Sequence, residues 1–155
     1  MDGMPDNNYL DSLARLLDPH KTILYFVNWR DAGASYPDYT PAAALKSLVD
    51  HAHVLGFLVS LHVDTMGVDP RSADYQAVQQ YQFKYPDTLA LYGWLWTRPP
   101  STPSRFAFID PASSAWRRLL LSRIDVAIQA VHPDAIHLDS IPGILNEPNP
   151  GEPGF

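Results

Sequence analysis

Apolar positions along the chain fall into blocks of two kinds. Ile23–Trp29 (ILYFVNW) and Phe57–Val63 (FLVSLHV) are short and apolar at most positions, the pattern of strands buried on both faces. Between them Leu45, Leu48, Val49, Ala52 and Leu55 recur at helical spacing, predicting a helix with one buried face. Thr40 is placed to cap that helix with Pro41 at its first position, and Gly56 to end it. A strand, a helix and a strand in this order form a crossover unit, which implies parallel pairing.

The remaining pattern extends the alternation. Leu10, Leu13, Leu16 and Leu17 predict a first helix ending at Asp18-Pro19, and a polar, Tyr- and Gln-rich stretch predicts another near 72–83. Leu89–Trp96 (LALYGWLW) and Phe106–Ile109 read as strands on either side of a loop at Arg98–Ser104. Asp110-Pro111 is placed to cap a long helix whose stripe is Trp116, Leu119, Leu120, Ile124, Ala127, Ile128 and Val131. His132-Pro133-Asp134 then turns the chain into a last strand, Ala135–Asp139 (AIHLD). The class expected is α/β with parallel strands. Two architectures fit: a partial (β/α)8 barrel, since a whole one needs about 250 residues, or a small doubly wound sheet. Residues 1–145 are expected to form this domain, and the Pro-rich 146–155 (NEPNPGEPGF) an extended tail.

Composition narrows the function. The chain of 155 residues carries 11 Lys+Arg against 17 Asp+Glu, for a net charge of −6. This balance argues against nucleic acid or an anionic membrane as partner, both of which need clustered bases. No apolar run approaches the ~18 residues of a membrane span. Residues 1–10 lack the basic and apolar regions of a signal peptide, so the default expectation is cytoplasmic. Cysteine is absent, which removes disulfides, thiolate catalysis and Cys-based zinc sites.

In parallel α/β folds ligands bind beyond the carboxyl ends of strands. Those ends carry Trp29-Arg30-Asp31, His62-Val63-Asp64, Trp94 with Trp96, Asp110, and His137-Leu138-Asp139. In each His-x-Asp pair the two side chains share a face, because residues two apart on a strand do. Asp139 is the sharpest candidate, since Ser140, Pro142 and Gly143 leave no helix start nearby for it to cap. Asp110 before Pro111 reads instead as a cap, Trp116 as packing, and His51 and His53 as a solvated helix flank. Phosphate-cradling glycine loops and a GxSxG nucleophile elbow are missing. Paired carboxylates suit glycoside hydrolysis, with tryptophans such as Trp96 against sugar rings. Two His and two Asp from separate strands would alternatively ligate a divalent ion.

Taken together, Asn28-Trp29-Arg30, Tyr36-Pro37-Asp38-Tyr39, Ala52-His53-x-Leu55-Gly56-Phe57 and Leu61-His62-Val63-Asp64 resemble a barrel family. Ile109-Asp110-Pro111-Ala112-Ser113-Ser114-Ala115-Trp116-Arg117 and Ala135-Ile136-His137-Leu138-Asp139 add to the likeness. The family is that of (β/α)8 glycoside hydrolases related to endo-α-N-acetylgalactosaminidases and α-galactosidases. The resemblance spans about residues 22–146 and only the first half of the family's barrel. It implies a retaining hydrolase of O-glycosidic bonds without a cofactor, in which the Asp ending the fourth barrel strand, here Asp139, is the nucleophile. Asp31, His62 and Asp64 would by the same resemblance line the sugar site, and Trp29, Trp96 and His137 at the strand ends are expected to bind substrate beside them. The family's acid/base carboxylate lies on a later strand, and only Glu147 and Glu152 follow Asp139. The chain by itself is therefore expected to be catalytically incomplete. Two further readings stand beside this one. One is a metal-dependent hydrolase on His62, Asp64, His137 and Asp139; the other is a carbohydrate-binding domain that self-associates through open barrel edges.

Overall fold

A helix, a strand and a crossover helix open the chain as its pattern requires. In a computed structural model, the described residues are 5–84, 89, 91–96 and 104–139; of 94–96 and 104–105 the backbone alone is described. The elements are α1 (Asn7–Ala14), β1 (Ile23–Phe26), α2 (Leu45–Leu55), β2 (Leu58–Asp64), β3 (Gly67–Val68), α3 (Ala73–Val78), β4 (Gly93–Trp96), β5 (Ser104–Phe108), α4 (Ser114–Val131) and β6 (Ala135–Asp139). They form two sheets, one ordered β1-β2-β6 and one ordered β3-β5-β4. The described residues divide into two units: 5–34 with 39–63 and 124–139, and 35–38 with those of 64–123.

The first unit holds the parallel sheet. Ile23↔Leu58 through Phe26↔Leu61 pair β1 with β2 in parallel, and β6 lies on the other edge of β2. Asp134 sets that second junction: its N–H donates to Val59 O at 2.9 Å, and its Oδ2 accepts the Val59 N–H at 2.8 Å. The faces of β2 are unequal. Val59, Leu61 and Val63 are enclosed, as are Leu45, Leu48, Val49 and Ala52 of α2 and Ala127 and Val131 of α4. On the opposite face Ile23, Tyr25 and Leu58 are about half exposed. α1 packs against α2, where His51 Nε2 meets Asp11 Oδ1 at 2.8 Å. Gly56 ends α2 at φ +97° with its N–H on the Ala52 and His53 carbonyls. A Cβ there would lie 2.6 Å from the His20 ring, so glycine is required twice over.

The second unit departs from the expected parallel order. β3, β5 and β4 are antiparallel, with registers Gly67↔Phe108 and Gly93↔Ala107 through Trp96↔Ser104. Residues 97–103 alone connect β4 to β5, too few for a parallel crossover of a dozen or more. The strand expected from Leu89 begins at Gly93. Leu89 has a left-handed φ of 57°, and Leu91 makes an isolated bridge to Lys84. Ala135–Asp139 is accordingly the third strand of the described parallel sheet and not the fourth.

Several boundaries also differ from expectation. Thr40 and Pro41 do not start α2. They pair instead with the segment after β1, with Asp31 N–H on Thr40 O, Ala42 N–H on Trp29 O and a bridge between Arg30 and Pro41. β1 stops at Phe26, so Trp29 lies outside the strand. α1 ends at Ala14, leaving Leu16 80% exposed. α4 starts at Ser114, where Ser113 Oγ accepts the Trp116 N–H; Asp110 caps the preceding turn through Ala112 N–H at 2.8 Å. Ile128 of the expected stripe is 38% exposed. The tail 146–155 and residues 98–103 of the loop expected at Arg98–Ser104 lie outside the described residues, and Ser104 opens β5.

Candidate functional site

The open face of the parallel sheet gathers five polar side chains. Tyr25 and Ser60 are register partners, so Tyr25, Ser60 and His62 share one face. Ring contacts put His137 on the same face, with centroids 4.8 Å from Tyr25 and 6.0 Å from His62. Asp139 follows two residues on, at the carboxyl end of β6.

These groups form a chain of contacts. The Tyr25 hydroxyl lies 2.6 Å from His62 Nδ1, and His62 Nε2 lies 3.7 Å from Asp139 Oδ2. The His62 side chain is 12% exposed, whereas that of Asp139 is 55% exposed. A largely enclosed imidazole thus stands behind a carboxylate that faces solvent. Burial, followed by the negative charge of Asp139, pushes the Tyr25 phenol above its ordinary pKa. Tyr25 therefore keeps its proton at neutral pH.

Other residues singled out in the sequence hold different positions. Trp29 is wholly enclosed, stacked on Tyr39 at 5.8 Å, and its indole N–H donates to His62 O at 2.7 Å. It supports the end of β2 and offers no open ring to a sugar. Asp31 is exposed and folds its own turn, accepting the Gly33 N–H at 2.8 Å. Asp64, in the second unit, does the same through Oδ1 for the N–H groups of Met66 and Gly67. The side chain of Trp96 lies outside the described residues. Among the described residues no three His, Asp or Glu side chains converge as metal ligands. Nor is any helix there long and apolar enough to cross a membrane.

Tyr25 was not singled out in the sequence, although a hydroxyl inside a run read as buried on both faces demands a polar partner. The flank histidines are also engaged. His53 Nε2 reaches Asp134 Oδ2 at 2.9 Å, joining α2 to the β2–β6 junction.

This arrangement can be set beside known proteins. No protein family and no curated protein matches the sequence. Similar solved structures include the GH36 alpha-galactosidase AgaA from Geobacillus stearothermophilus, at 15% identity and a TM-score of 0.56 over 88% of this chain and 20% of that one. An alpha-galactosidase from Lactobacillus brevis matches at 16% identity and TM-score 0.53, over 84% and 18%. The maltogenic alpha-amylase AmyB from Thermotoga neapolitana matches at 12% and 0.57, over 88% and 35%. The chain spans about a fifth of the length of the alpha-galactosidases it matches. The likeness is one of fold: this is an α/β chain related in fold to glycoside hydrolases. It gives no support to the narrower relation with endo-α-N-acetylgalactosaminidases.

Proposed function

We propose that the chain forms part of a (β/α)8-barrel glycoside hydrolase that cleaves O-glycosidic bonds with retention, Asp139 being the nucleophile and His62 and His137 lining the sugar site. The observation that carries this reading is the position of Asp139: a solvent-facing carboxylate at the carboxyl end of a parallel strand, 3.7 Å from an enclosed histidine. The partial barrel is supported by the asymmetry of the sheet. On one face the central strand buries Val59, Leu61 and Val63, while the other presents half-exposed Ile23, Tyr25 and Leu58 beside the site, and parallel sheets ordinarily have both faces covered. The place of β6 as third described strand removes the argument from strand number, so the assignment rests on geometry.

In the proposed step an oxygen of Asp139 attacks the anomeric carbon, forming an ester. The bond to the leaving group breaks with its electron pair going to the leaving atom, and water then hydrolyses the ester. A leaving group that departs as a stable anion needs no protonation by a general acid. A 2-deoxy-2-fluoro glycosyl fluoride, or its dinitrophenyl analogue, therefore tests Asp139 independently of any partner carboxylate. Alpha-galactosyl derivatives are the first choice. Incubation followed by intact mass and peptide mapping should locate one glycosyl adduct on Asp139, and none in Asp139→Asn. An adduct on another carboxylate, or no adduct at all, overturns the assignment.

A further inference from the structure

We infer that Tyr25 is a positioning residue: its hydroxyl donates to His62 Nδ1, fixes the neutral imidazole as the Nε2–H tautomer, and so directs that N–H at the Asp139 carboxylate. The inference rests on the reading of Asp139 as nucleophile for its purpose, but not for its geometry. A neutral imidazole has one donating and one accepting nitrogen, and its partners decide which is which. Here the two nitrogens face different chemistry. Nδ1 meets a phenol at 2.6 Å, which can donate; Nε2 faces a carboxylate at 3.7 Å, which when ionised can only accept. The opposite tautomer would turn a nitrogen lone pair toward a negative charge. Tyr25 is equipped to remain the donor, because burial and the charge of Asp139 both oppose loss of its proton.

The rest of the environment holds the ring in this attitude. The His62 carbonyl accepts the indole N–H of Trp29, which fixes the backbone from which the imidazole extends. The His137 ring lies nearly parallel to it, at 21°, and meets Tyr25 edge-on. The 3.7 Å separation from Asp139 exceeds a hydrogen bond, so a closing of about 1 Å makes one. That contact would hold one carboxylate oxygen and orient the other for attack.

The wild-type protein tests this directly. Long-range 15N–1H correlation of the histidine side chains at neutral pH, with His62 assigned through His62→Gln, should show a protonated Nε2 and an unprotonated Nδ1. An Nδ1–H tautomer, or a doubly protonated ring, overturns the inference. Tyr25→Phe keeps the aromatic ring and should give a mixture of tautomers. It should also slow labelling of Asp139 by the activated fluoro-glycoside about 10- to 100-fold, the range a hydrogen bond to a charged group supplies. Slower labelling with the tautomer unchanged would mean a merely structural tyrosine and would equally refute the proposal. If the wild type takes no label, the nucleophile reading fails, while the tautomer still decides the role of Tyr25.

Discussion

Replacing Asp134 with alanine should measure what joins the third strand to the sheet. One oxygen of this carboxylate accepts both the Val59 N–H at 2.8 Å and His53 Nε2 at 2.9 Å. Val59 is fully enclosed, so the variant leaves a backbone donor without its acceptor, at a cost of about 1–3 kcal/mol. The His53 pair is about a third exposed on each side and adds at most about 1 kcal/mol after screening. The reciprocal Asp134 N–H to Val59 O bond survives. The expected loss is thus about 2–3 kcal/mol, or a fall in Tm of roughly 5–10 °C for a chain of this size. Circular dichroism melts and urea titration measure it. Asp134→Asn retains an acceptor for Val59 and should lose about 1 kcal/mol. The pH dependence has a definite sign. Partial burial raises the Asp134 pKa, but the bonds from Val59 and His53 outweigh it, and the folded value lies below the ordinary 3.8. The carboxylate's contribution is therefore complete above pH ~4 and is lost as pH falls through the folded value. A stability for Asp134→Ala within about 0.5 kcal/mol of wild type would refute the reasoning, since surface changes alone produce differences of that size.

Three other expectations follow from the same structure. Trp29→Ala removes an enclosed indole with its bond to His62 O and should cost about 3–5 kcal/mol by chemical denaturation; a cost under about 1 kcal/mol would show that Trp29 is not packed as described. Gly56→Ala must hold φ +97° against the His20 ring, so a loss of about 1–3 kcal/mol is expected, and a stabilised variant would contradict that backbone. The Tyr25 phenol, followed by 13C NMR of labelled tyrosine, should ionise above pH 10 and at a lower pH in Asp139→Asn, because that charge is the second cause of its shift. Being raised, it contributes stability below pH ~10 that disappears as pH rises through the folded value.

Legibility in the sequence followed how local the determining physics was. α2 was readable because Leu45, Leu48, Val49 and Ala52 all turn inward and Gly56 alone can adopt the closing φ. The start of α2 was not, since Thr40 and Pro41 pair with Asp31 and Arg30 beyond β1, a contact between chain segments that no local signal announces. The antiparallel sheet was legible in principle. Apolar content at 89–96 and 106–109 indicated strands, but the shortness of the link between them was the informative quantity, and it forbids a parallel return. Trp29 and Asp64 show the opposite failing. Their types suit a sugar site, yet enclosure by Tyr39 in one case and two backbone N–H groups in the other give them structural work.

The pair spacing His-x-Asp predicted co-facing side chains, and that rule has a sharper consequence in the folded chain. In both β2 and β6 the histidine reaches the open face, but the two aspartates behave differently. Asp64 is followed at once by the turn into β3, and its oxygen is taken by the N–H groups of that turn. Asp139 ends its strand with a side chain more than half exposed. The same three-residue pattern therefore gives a turn-former at one strand end and a solvent-facing carboxylate at the other. What occupies Asp64 is the turn into β3 that follows it. This predicts unequal substitution costs. Asp64→Ala strands the enclosed N–H groups of Met66 and Gly67 and should lower stability by about 2–3 kcal/mol, leaving a folded protein that melts early. Asp139→Ala should change stability by under about 0.5 kcal/mol while abolishing the glycosyl adduct. A reversed order of the two melts would mean that Asp139 belongs to the framework, and the proposed nucleophile would have to be sought elsewhere.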